Sequence, residues 1–336
     1  MLHHNEIDKY YDRLTKSVIL DNEYTGDLTD KVLPKDIKTI FFERKTLLNL
    51  TKSFNRTIDY LPDCLISLYL SEGFNQEITK LPKKLEILAF GSNYDISLNN
   101  TIFPENLKEI HFGTFFNQNI DKLPDTIQHI TLGSRFNKVI SKFPKSLNSL
   151  TIENNYISLD NLPITLKKFT TGYGCSKSLN NLPDSIEEIN ILNYSCNITK
   201  FPKELKKLTI SHFNKKIGCY EHEETKLMIP EGIFYLSLGS QFNQELDDLP
   251  QSLTYLDLSK ASDFNKSLDC LPLNLEILEI SSRYNKTISN LPPGIKKIII
   301  FNENQKKLIT KIPFDCEIIL SKSNIEEKYD RIGYIM

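Results

Sequence analysis

Residues 54–90 read FNRTIDYLPDCLISLYLSEGFNQEITKLPKKLEILAF, and this stretch contains the same motif twice. Each copy begins with Phe-Asn, reaches a Leu-Pro pair, and then carries apolar residues three, six and eight positions after the proline. The apolar residues at positions six and eight alternate with variable ones, which is the period of a β-strand. The motif therefore predicts one short strand for every copy.

The proline of this motif recurs along most of the chain. Fourteen of the fifteen prolines follow one another at intervals of 19 to 28 residues, and the residue six positions after each of them is Leu, Ile or Phe. Such self-similarity indicates a repeat protein, in which one turn cannot bury its apolar side chains alone and stacked turns bury them between neighbours. These prolines are residues 34, 62, 82, 104, 124, 144, 163, 183, 202, 230, 250, 272, 292 and 313.

The short repeat limits the path that leads from one strand to the next. About twenty residues cannot hold a strand, two turns and a substantial helix, so we expect an extended or 3₁₀ return path. We predict a β-rich repeat solenoid with one long parallel concave sheet, an extended or 3₁₀ convex side and short capping helices at the ends. Glycine is expected where the chain turns sharply after a strand, at Gly91, Gly113, Gly133, Gly172 and Gly239.

The recurring Phe-Asn pair is expected inside the solenoid. The phenylalanines should form a stacked spine beside the apolar strand residues, which include Leu68, Leu88, Ile110 and Ile130. We expect the asparagine to turn inward as well, because its amide can donate to and accept from backbone groups that lack strand partners. An asparagine exposed to solvent in the turn is the alternative.

We expect three segments along the chain. Residues 1–33 would form an amino-terminal cap with a degenerate first turn, in which Val18 and Leu20 lie on a strand. Residues 34–320 would form the solenoid, with about fourteen turns, and residues 321–336 a carboxy-terminal cap. Capping helices are predicted at residues 3–16, with Tyr10, Tyr11 and Leu14 on the inner side, and at residues 323–331.

The unit F-N-x-x-I-x-x-L-P-x-x-L-x-x-L-x-L-G resembles the FNIP repeat, a relative of leucine-rich repeats, over about residues 34–320. The resemblance implies a leucine-rich-repeat-like horseshoe and a role in protein–protein interaction. FNIP repeats are known chiefly from amoebae and the large viruses that infect them, and many members carry an amino-terminal F-box that links them to ubiquitin ligases. The segment before Pro34 is too short for an F-box and lacks its Leu-Pro start, so we expect a member without one.

Composition narrows the class of protein. Forty-one Lys and Arg face 43 Asp and Glu, and this balance is unlike that of a strongly basic nucleic-acid binder. No apolar run approaches the length of a membrane span, and the first twenty residues lack a secretory signal. None of the six cysteines forms a Cys-x-x-Cys pair. We therefore expect an intracellular, cytoplasmic monomer (in the host cytoplasm if the protein is viral) without a cofactor, a nucleic-acid partner or a membrane partner.

The variable strand positions, five and seven residues after each proline, should face the concave surface. Tyr235 lies beside Tyr255 in the predicted register, and acidic residues are close to both, a composition that resembles interface hot spots. Packing of these tyrosines against a cap or a loop is the alternative. The predicted partner-binding residues, for an unidentified protein partner, are Tyr69, His111, His129, Tyr235, Tyr255, Asp257 and Glu279.

Three other functions remain open from the sequence. An enzyme or a metal-binding protein would use the Glu109/His111/His129 region or the loop at residues 218–224 (GCYEHEE), although no nucleophile is evident. A nucleic-acid binder would use the lysine pairs at 167–168, 206–207 and 296–297. A substrate-recognition subunit of a ubiquitin pathway would act without its own F-box. The long insertion after Phe42 is a further candidate binding loop.

Overall fold

A parallel β-strand follows each of the fourteen recurring prolines in this computed structural model, which describes residues 7–21, 24–42, 53–153, 158–172, 178–192, 198, 200–214, 217–218 and 227–321. The chain divides into two compact units, residues 1–165 and residues 166–335. Each unit is a β-solenoid in which one strand is added per repeat. The predicted fold class is therefore confirmed, while the predicted segment boundaries at residues 33 and 321 stay predictions.

The first unit contains a sheet of parallel strands in sequence order, preceded by one antiparallel strand. Equivalent positions of the repeat face each other, so that Leu68 pairs with Leu88, Leu88 with Ile110, and Ile110 with Ile130. The strands are β1 (Tyr11–Asp12), β2 (Ser17–Leu20), β3 (Thr39–Phe42), β4 (Ser67–Tyr69), β5 (Ile87–Ala89), β6 (Glu109–His111), β7 (His129–Leu132) and β8 (Ser149–Ile152).

The second unit repeats this arrangement and adds a separate pair of parallel strands within the long repeat before Pro230. Its strands are β9 (Lys168–Thr171), β10 (Glu188–Ile191), β11 (Lys207–Ile210), β12 (Ile217–Gly218), β13 (Leu227–Met228), β14 (Tyr235–Leu238), β15 (Tyr255–Asp257), β16 (Ile277–Glu279), β17 (Lys297–Ile300) and β18 (Glu317–Leu320). The small sheet is β12 with β13, and the other eight strands pair in parallel in the order β9, β10, β11, β14, β15, β16, β17 and β18.

The repeated proline forms the corner that precedes each strand. At most of these prolines, the N–H of the residue three positions later donates to the proline carbonyl, as in the 3.1 Å bond from Leu65 to Pro62. Proline has no N–H of its own to leave unpaired at this point, and its fixed φ suits the turn. The return paths therefore consist of extended chain and single turns, which agrees with the expected extended or 3₁₀ path.

The last described turn differs from the others by one residue. Strands β3–β11 and β14–β17 that follow a recurring proline begin five residues after it, whereas β18 begins four residues after Pro313. Asp315 lies in this turn with a φ of 57°, a left-handed conformation that shortens the path. As a result Ile318, rather than Ile319, pairs with the inward-facing Ile298.

Aromatic rings form a stacked spine inside each unit, as predicted. In the first unit the neighbouring ring centroids from Phe54 to Phe136 lie 5.8 to 6.2 Å apart. In the second unit the centroids from Phe213 to Tyr284 lie 5.9 Å apart at each step. Every ring is at most 2% exposed, so the spine and the apolar strand residues make one continuous core within each unit. The spine residues are Phe54, Phe74, Tyr94, Phe116 and Phe136, then Phe213, Phe242, Phe264 and Tyr284.

A glutamine ends the second spine. Gln305 stands eight residues before Pro313, where other repeats have phenylalanine, and its side chain is 2% exposed. Its amide nitrogen donates to the carbonyls of Ser281 and Tyr284, at 2.7 and 3.3 Å, so the buried amide is satisfied. It also closes the capping box of the single-turn helix α1 (Glu303–Lys306) with Asn302.

The expectation that the recurring asparagine points inward is wrong. Asn55 and Asn75 are exposed, and the Oδ1 atom of Asn55 accepts a hydrogen bond of 2.9 Å from the backbone N–H of Asn75. The same contact joins Asn117 to Asn137 and Asn243 to Asn265, at 3.0 Å each. Successive asparagines do lie above one another as expected, but they do so at the surface, where the side chain of one accepts a hydrogen bond from the backbone of the next. The Phe before each asparagine points into the core.

The recurring glycines are explained by close approach of the backbone rather than by unusual dihedral angles. A Cβ atom added to Gly113 would lie 2.2 Å from the carbonyl oxygen of Gly91, and one added to Gly133 would lie 2.1 Å from that of Gly113. The only glycine with positive φ in the part of the chain that is described is Gly232. Gly91, Gly113 and Gly133 do follow strands as predicted, but the reason is close backbone packing and not a sharp turn.

The predicted amino-terminal helix at residues 3–16 is wrong from residue 9 onward. Tyr11 belongs to strand β1, and Leu14 is 95% exposed instead of packed inside. The strand expected for a degenerate first turn is present, since Val18 and Leu20 lie on β2 and are fully buried. The predicted helix at 323–331 and the insertion after Phe42, residues 43–52, lie outside the described residues. No helix in the described ranges is long and apolar enough to span a membrane.

Replacement of Leu68 or Leu256 by alanine tests the inward face of the strands. Both side chains are fully buried, so each substitution should lower the free energy of unfolding by about 2–5 kcal/mol, because a cavity remains. Leu273→Ala is the control, since Leu273 is 67% exposed and should cost less than about 0.5 kcal/mol. Urea denaturation measures all three, and a loss below about 1 kcal/mol at both buried positions would contradict the assigned face.

Replacement of Asn117 tests the surface asparagine stack. Asn117→Ala should lower the free energy of unfolding by about 0.5–1.5 kcal/mol, because the N–H of Asn137 loses its acceptor. Asn117→Asp should retain most of the stability, since Asp95 accepts the equivalent bond from the N–H of Asn117 at 2.8 Å. Equal losses for the two variants in denaturant titrations would show that the acceptor is unimportant.

Candidate functional site

The strand side chains that point away from the core form an open sheet face in each unit. Alternation along the strand places Leu256 in the core, fully buried, while Tyr255 and Asp257 on either side of it point to the other face. Residues five and seven positions after each proline except Pro313 therefore stand next to their equivalents on neighbouring strands. Because these positions do not contribute to the stacked core, their side chains vary from strand to strand.

Two tyrosines and two carboxylates come together on the open face of the second unit. The rings of Tyr235 and Tyr255 pack edge to face, with centroids 5.0 Å apart and planes inclined by 66°. The Tyr235 hydroxyl donates to Asp257 Oδ2 at 3.1 Å, and the Tyr255 hydroxyl donates to Glu279 Oε2 at 3.1 Å. We call Tyr235, Tyr255, Asp257 and Glu279 the tyrosine–carboxylate patch. Its members lie on β14, β15 and β16, which pair in register.

Hydrogen bonds from outside these four residues fix the orientation of Asp257. Its Oδ2 atom accepts a second bond, from Ser237 Oγ at 2.9 Å, and its Oδ1 atom accepts from the Ser259 N–H at 2.9 Å. Asp257 is 9% exposed, whereas Glu279 is half-buried. The patch is therefore a preorganised surface in which Glu279 is the more accessible carboxylate.

The pKa values of the patch residues follow from burial and from like charge. Burial, followed by the nearby Asp257 carboxylate and the hydrogen bond to it, raises the pKa of Tyr235 far above its usual value. Burial and Glu279 have the same effect on the pKa of Tyr255. The pKa of Glu279 is raised by burial first and then by repulsion from Asp257. Both tyrosines thus remain hydrogen-bond donors, and the Asp257 carboxylate disfavours the charged form of Glu279.

A different group of polar residues lies on the open face of the first unit. His111 is 7% exposed, with Nδ1 located 2.9 Å from Thr131 Oγ1 and Nε2 located 3.6 Å from Glu109 Oε2. Glu109 also stands opposite His129 in the strand register. The close approach of the His111 ring is the main cause that lowers the pKa of Glu109, ahead of the nearby His129.

The structure brings the predicted acid/base residues Glu109, His111 and His129 close together on two strands. Thr131 supplies a hydroxyl next to His111, but this hydroxyl belongs to a threonine that is only 7% exposed. Among the residues that the structure describes, no group of three or more His, Cys, Asp or Glu side chains is placed to hold a metal ion. The 218–224 loop lies outside the described residues except for Gly218.

The seven predicted partner-binding residues occupy three places. Tyr235, Tyr255, Asp257 and Glu279 form the patch of the second unit, and His111 and His129 flank Glu109 in the first. Tyr69 is separate from the histidines and packs against Phe41, with ring centroids 5.6 Å apart. Burial and Glu109 raise the pKa of Tyr69.

The model of the FNIP Repeat matches residues 74–115, 116–155 and 220–261, which contain the Phe-Asn and Leu-Pro pairs described above. The chain carries FNIP repeats. These three FNIP matches cover part of both units, and in the structure each turn contributes one strand to a parallel sheet. No curated protein matches the chain.

A solved structure of a leucine-rich-repeat protein shares the fold of these FNIP repeats. CroV588, described as a novel circular leucine-rich-repeat protein, superposes with a TM-score of 0.62 at 24% identity and covers 90% of this chain and 49% of its own. The chain thus spans about half the length of that protein. YopM from Yersinia pestis, a leucine-rich effector protein, gives a TM-score of 0.48 at 21% identity over 95% of this chain and 92% of its own. The likeness to CroV588 shows the fold alone.

Two residues of the FNIP-repeat surface were missed in the sequence. Ser237 stands seven residues after Pro230 and is 4% exposed, and Thr131 occupies the same position after Pro124. Neither is among the predicted partner-binding residues, although each orients one of them by a hydrogen bond. Both Ser237 and Asp257 stand seven residues after a recurring proline, so they are adjacent because the strands pair in register.

The lysine pairs of the second unit are partly neutralised within the chain. Glu187 accepts bonds from Lys167 at 2.8 Å and Lys206 at 2.7 Å, and these two cations lower the pKa of Glu187 to about 2. Lys168 forms an ion pair with Glu188 on the neighbouring strand at 2.8 Å. A continuous basic surface is therefore interrupted here.

Replacement of Glu109 by glutamine tests the histidine contacts of the first unit. Because the folded-state pKa of Glu109 is below its ordinary value of 4.5, the carboxylate stabilises the fold above that pH. Glu109→Gln should therefore lower the free energy of unfolding near neutral pH. The difference from wild type should disappear as the pH falls through the lowered pKa. Denaturant titrations over a pH series measure this.

Glu86→Gln provides the control, because Glu86 forms an exposed ion pair with Lys108 at 2.9 Å and lacks a histidine partner. Exposed pairs contribute little, so this variant should change stability only slightly at any pH. If the Glu109→Gln difference stayed constant through the acid range, the carboxylate contacts would not be its cause.

Proposed function

We propose that this chain is a non-catalytic scaffold that binds a partner protein on the open sheet face of its second unit. The observation that carries the proposal is the tyrosine–carboxylate patch. Tyr235 and Tyr255 present aromatic surface that is held in place by hydrogen bonds and ring packing, on a face that the core does not need. Tyrosine anchors of this kind contribute strongly to protein interfaces because they bury a large area with little loss of side-chain entropy.

The difference in residue variability between the inward and outward faces of the strands also supports this function. Inward residues are uniform, as Leu236, Leu256 and Leu278 show, and each is fully buried. Outward residues differ from strand to strand, so they can be matched to one partner without disturbing the fold. Leucine-rich-repeat-like scaffolds commonly serve protein–protein interaction, and a fold of this kind fixes a surface rather than a chemistry.

Substitution of the two tyrosines tests the proposed surface. After partners are identified by proximity labelling in the native cell, binding of the purified partner to the Tyr235→Ala/Tyr255→Ala variant is measured. We expect the affinity to fall about thirtyfold or more, since truncation of an aromatic hot spot costs about 2 kcal/mol or more.

Tyr60→Ala is the matched control, because Tyr60 is a 66% exposed tyrosine just before Pro62 and lies off the sheet. It should leave binding unchanged. Tyr235→Phe separates ring from hydroxyl and should retain more affinity than the alanine variant. Wild-type affinity in the double variant would place the interface elsewhere and defeat the proposal.

A further inference from the structure

We infer that the tyrosine–carboxylate patch receives a lysine or arginine side chain from the partner protein. The inference rests on the proposed function and adds the chemistry of the partner. A basic side chain is the group that carboxylates and the faces of aromatic rings recognise together.

The charge of the patch is not neutralised by the chain itself. Within the described ranges, neither Asp257 nor Glu279 forms an ion pair with a lysine, arginine or histidine. Asp257 and Glu279 stand opposite each other in the strand register and repel each other, as the raised pKa of Glu279 reflects. Lys260 acts to lower the pKa of Glu279, but its charge is a weaker influence than burial or Asp257. A cation bound beside the two carboxylates would relieve their repulsion and would favour the charged form of Glu279.

Glu279 has the free acceptor that such a cation requires. Three donors serve Asp257, namely the hydroxyls of Tyr235 and Ser237 and the N–H of Ser259. Glu279 receives only the Tyr255 hydroxyl, on Oε2, from the residues that are described. Its Oε1 atom is therefore open to an N–H donor from a partner, next to the ring of Tyr255.

Two other strands of the same unit, β9 and β10, show how the open face is neutralised when it has its own cations. On β9 and β10, Lys168 pairs with Glu188, which also accepts a bond of 3.0 Å from Asn190 Nδ2. Position five, which carries Lys168 on β9, carries Tyr235 on β14 and Tyr255 on β15. The patch thus has tyrosines at position five, the position at which β9 has a lysine that neutralises a carboxylate.

Two exposed lysines restrict which basic partners fit. Lys207 precedes Tyr235 in the column at position five, and Lys297 follows Ile277 in the same column. Their positive charges disfavour a long polybasic tract across the face. The geometry therefore fits one basic side chain, or a closely spaced pair, within an otherwise uncharged segment.

Selection of displayed peptides tests this preference even while the native partner is unidentified. A library of random dodecapeptides is selected on the full chain, and affinities of the recovered peptides are measured by fluorescence polarisation. We expect enrichment of peptides with one or two Lys or Arg residues. Replacement of that residue by norleucine or citrulline should weaken binding about tenfold or more.

The isosteric variant Glu279→Gln should produce the same loss, and combining it with the altered peptide should cause little further change. Glu188→Gln is the matched control, since it removes a carboxylate of the same face that is already paired, and it should leave the affinity unchanged. The melting temperature of each variant shows whether it has folded. Binding to the patch should also weaken as salt rises.

Three outcomes would overturn the inference: no enriched peptide, enriched peptides without an excess of Lys or Arg, or equal binding by Glu279→Gln and wild type. The proposed scaffold function is judged separately by the Tyr235→Ala/Tyr255→Ala test on the native partner. Binding of a partner that depends on the tyrosines but not on Glu279 would support the proposed scaffold function and contradict the inferred basic side chain.

Discussion

Backbone hydrogen bonds between parallel strands in register set the distance between successive turns within each unit. Neighbouring strands lie about 4.8 Å apart, and every other feature of the repeat must fit that spacing. Offset aromatic rings fit it, as do asparagines whose Oδ1 atoms accept from the next turn. Where backbones approach even more closely, as from Gly91 to Gly113, a side chain has no room. The uniformity of the buried residues is therefore a consequence of the hydrogen-bonded strand spacing and not an independent cause of it.

The same constraint leaves one face of each sheet free for other purposes. Residues in register are neighbours by construction, so a function can be assembled from side chains about twenty residues apart in the chain. Tyr235 and Tyr255 form such a pair, and Asp257 with Glu279 extends it to the next strand. Their hydrogen bonds hold the side chains in place before any partner arrives, which limits the entropy lost on binding.

Periodicity allowed the strands and their buried residues to be predicted, because the spacing of Leu68 and Leu88 from their prolines reports directly on a two-residue period. It could not decide the direction of Asn55, since the residue after a buried Phe can turn either way once the strand has ended. The spacing of the prolines also could not predict the one-residue shift of the strand after Pro313, which depends on the left-handed conformation of Asp315. In the candidate site, register predicted that Tyr235 adjoins Tyr255. The hydrogen bonds of Ser237 and Thr131 depend on side-chain rotamers, about which a pattern of residue types carries little information.

The free energy of unfolding of Gly113→Ala tests the stacked backbone most directly. Where a glycine has an ordinary backbone conformation and free space around it, its replacement by alanine stabilises the protein by about 0.4–1 kcal/mol, because the unfolded chain loses entropy. Gly113 has no positive φ, but its added Cβ would lie 2.2 Å from the Gly91 carbonyl oxygen. Stacking therefore predicts the opposite sign, a loss of about 1–3 kcal/mol or more. A variant as stable as wild type, or more stable, would contradict close stacking of successive turns.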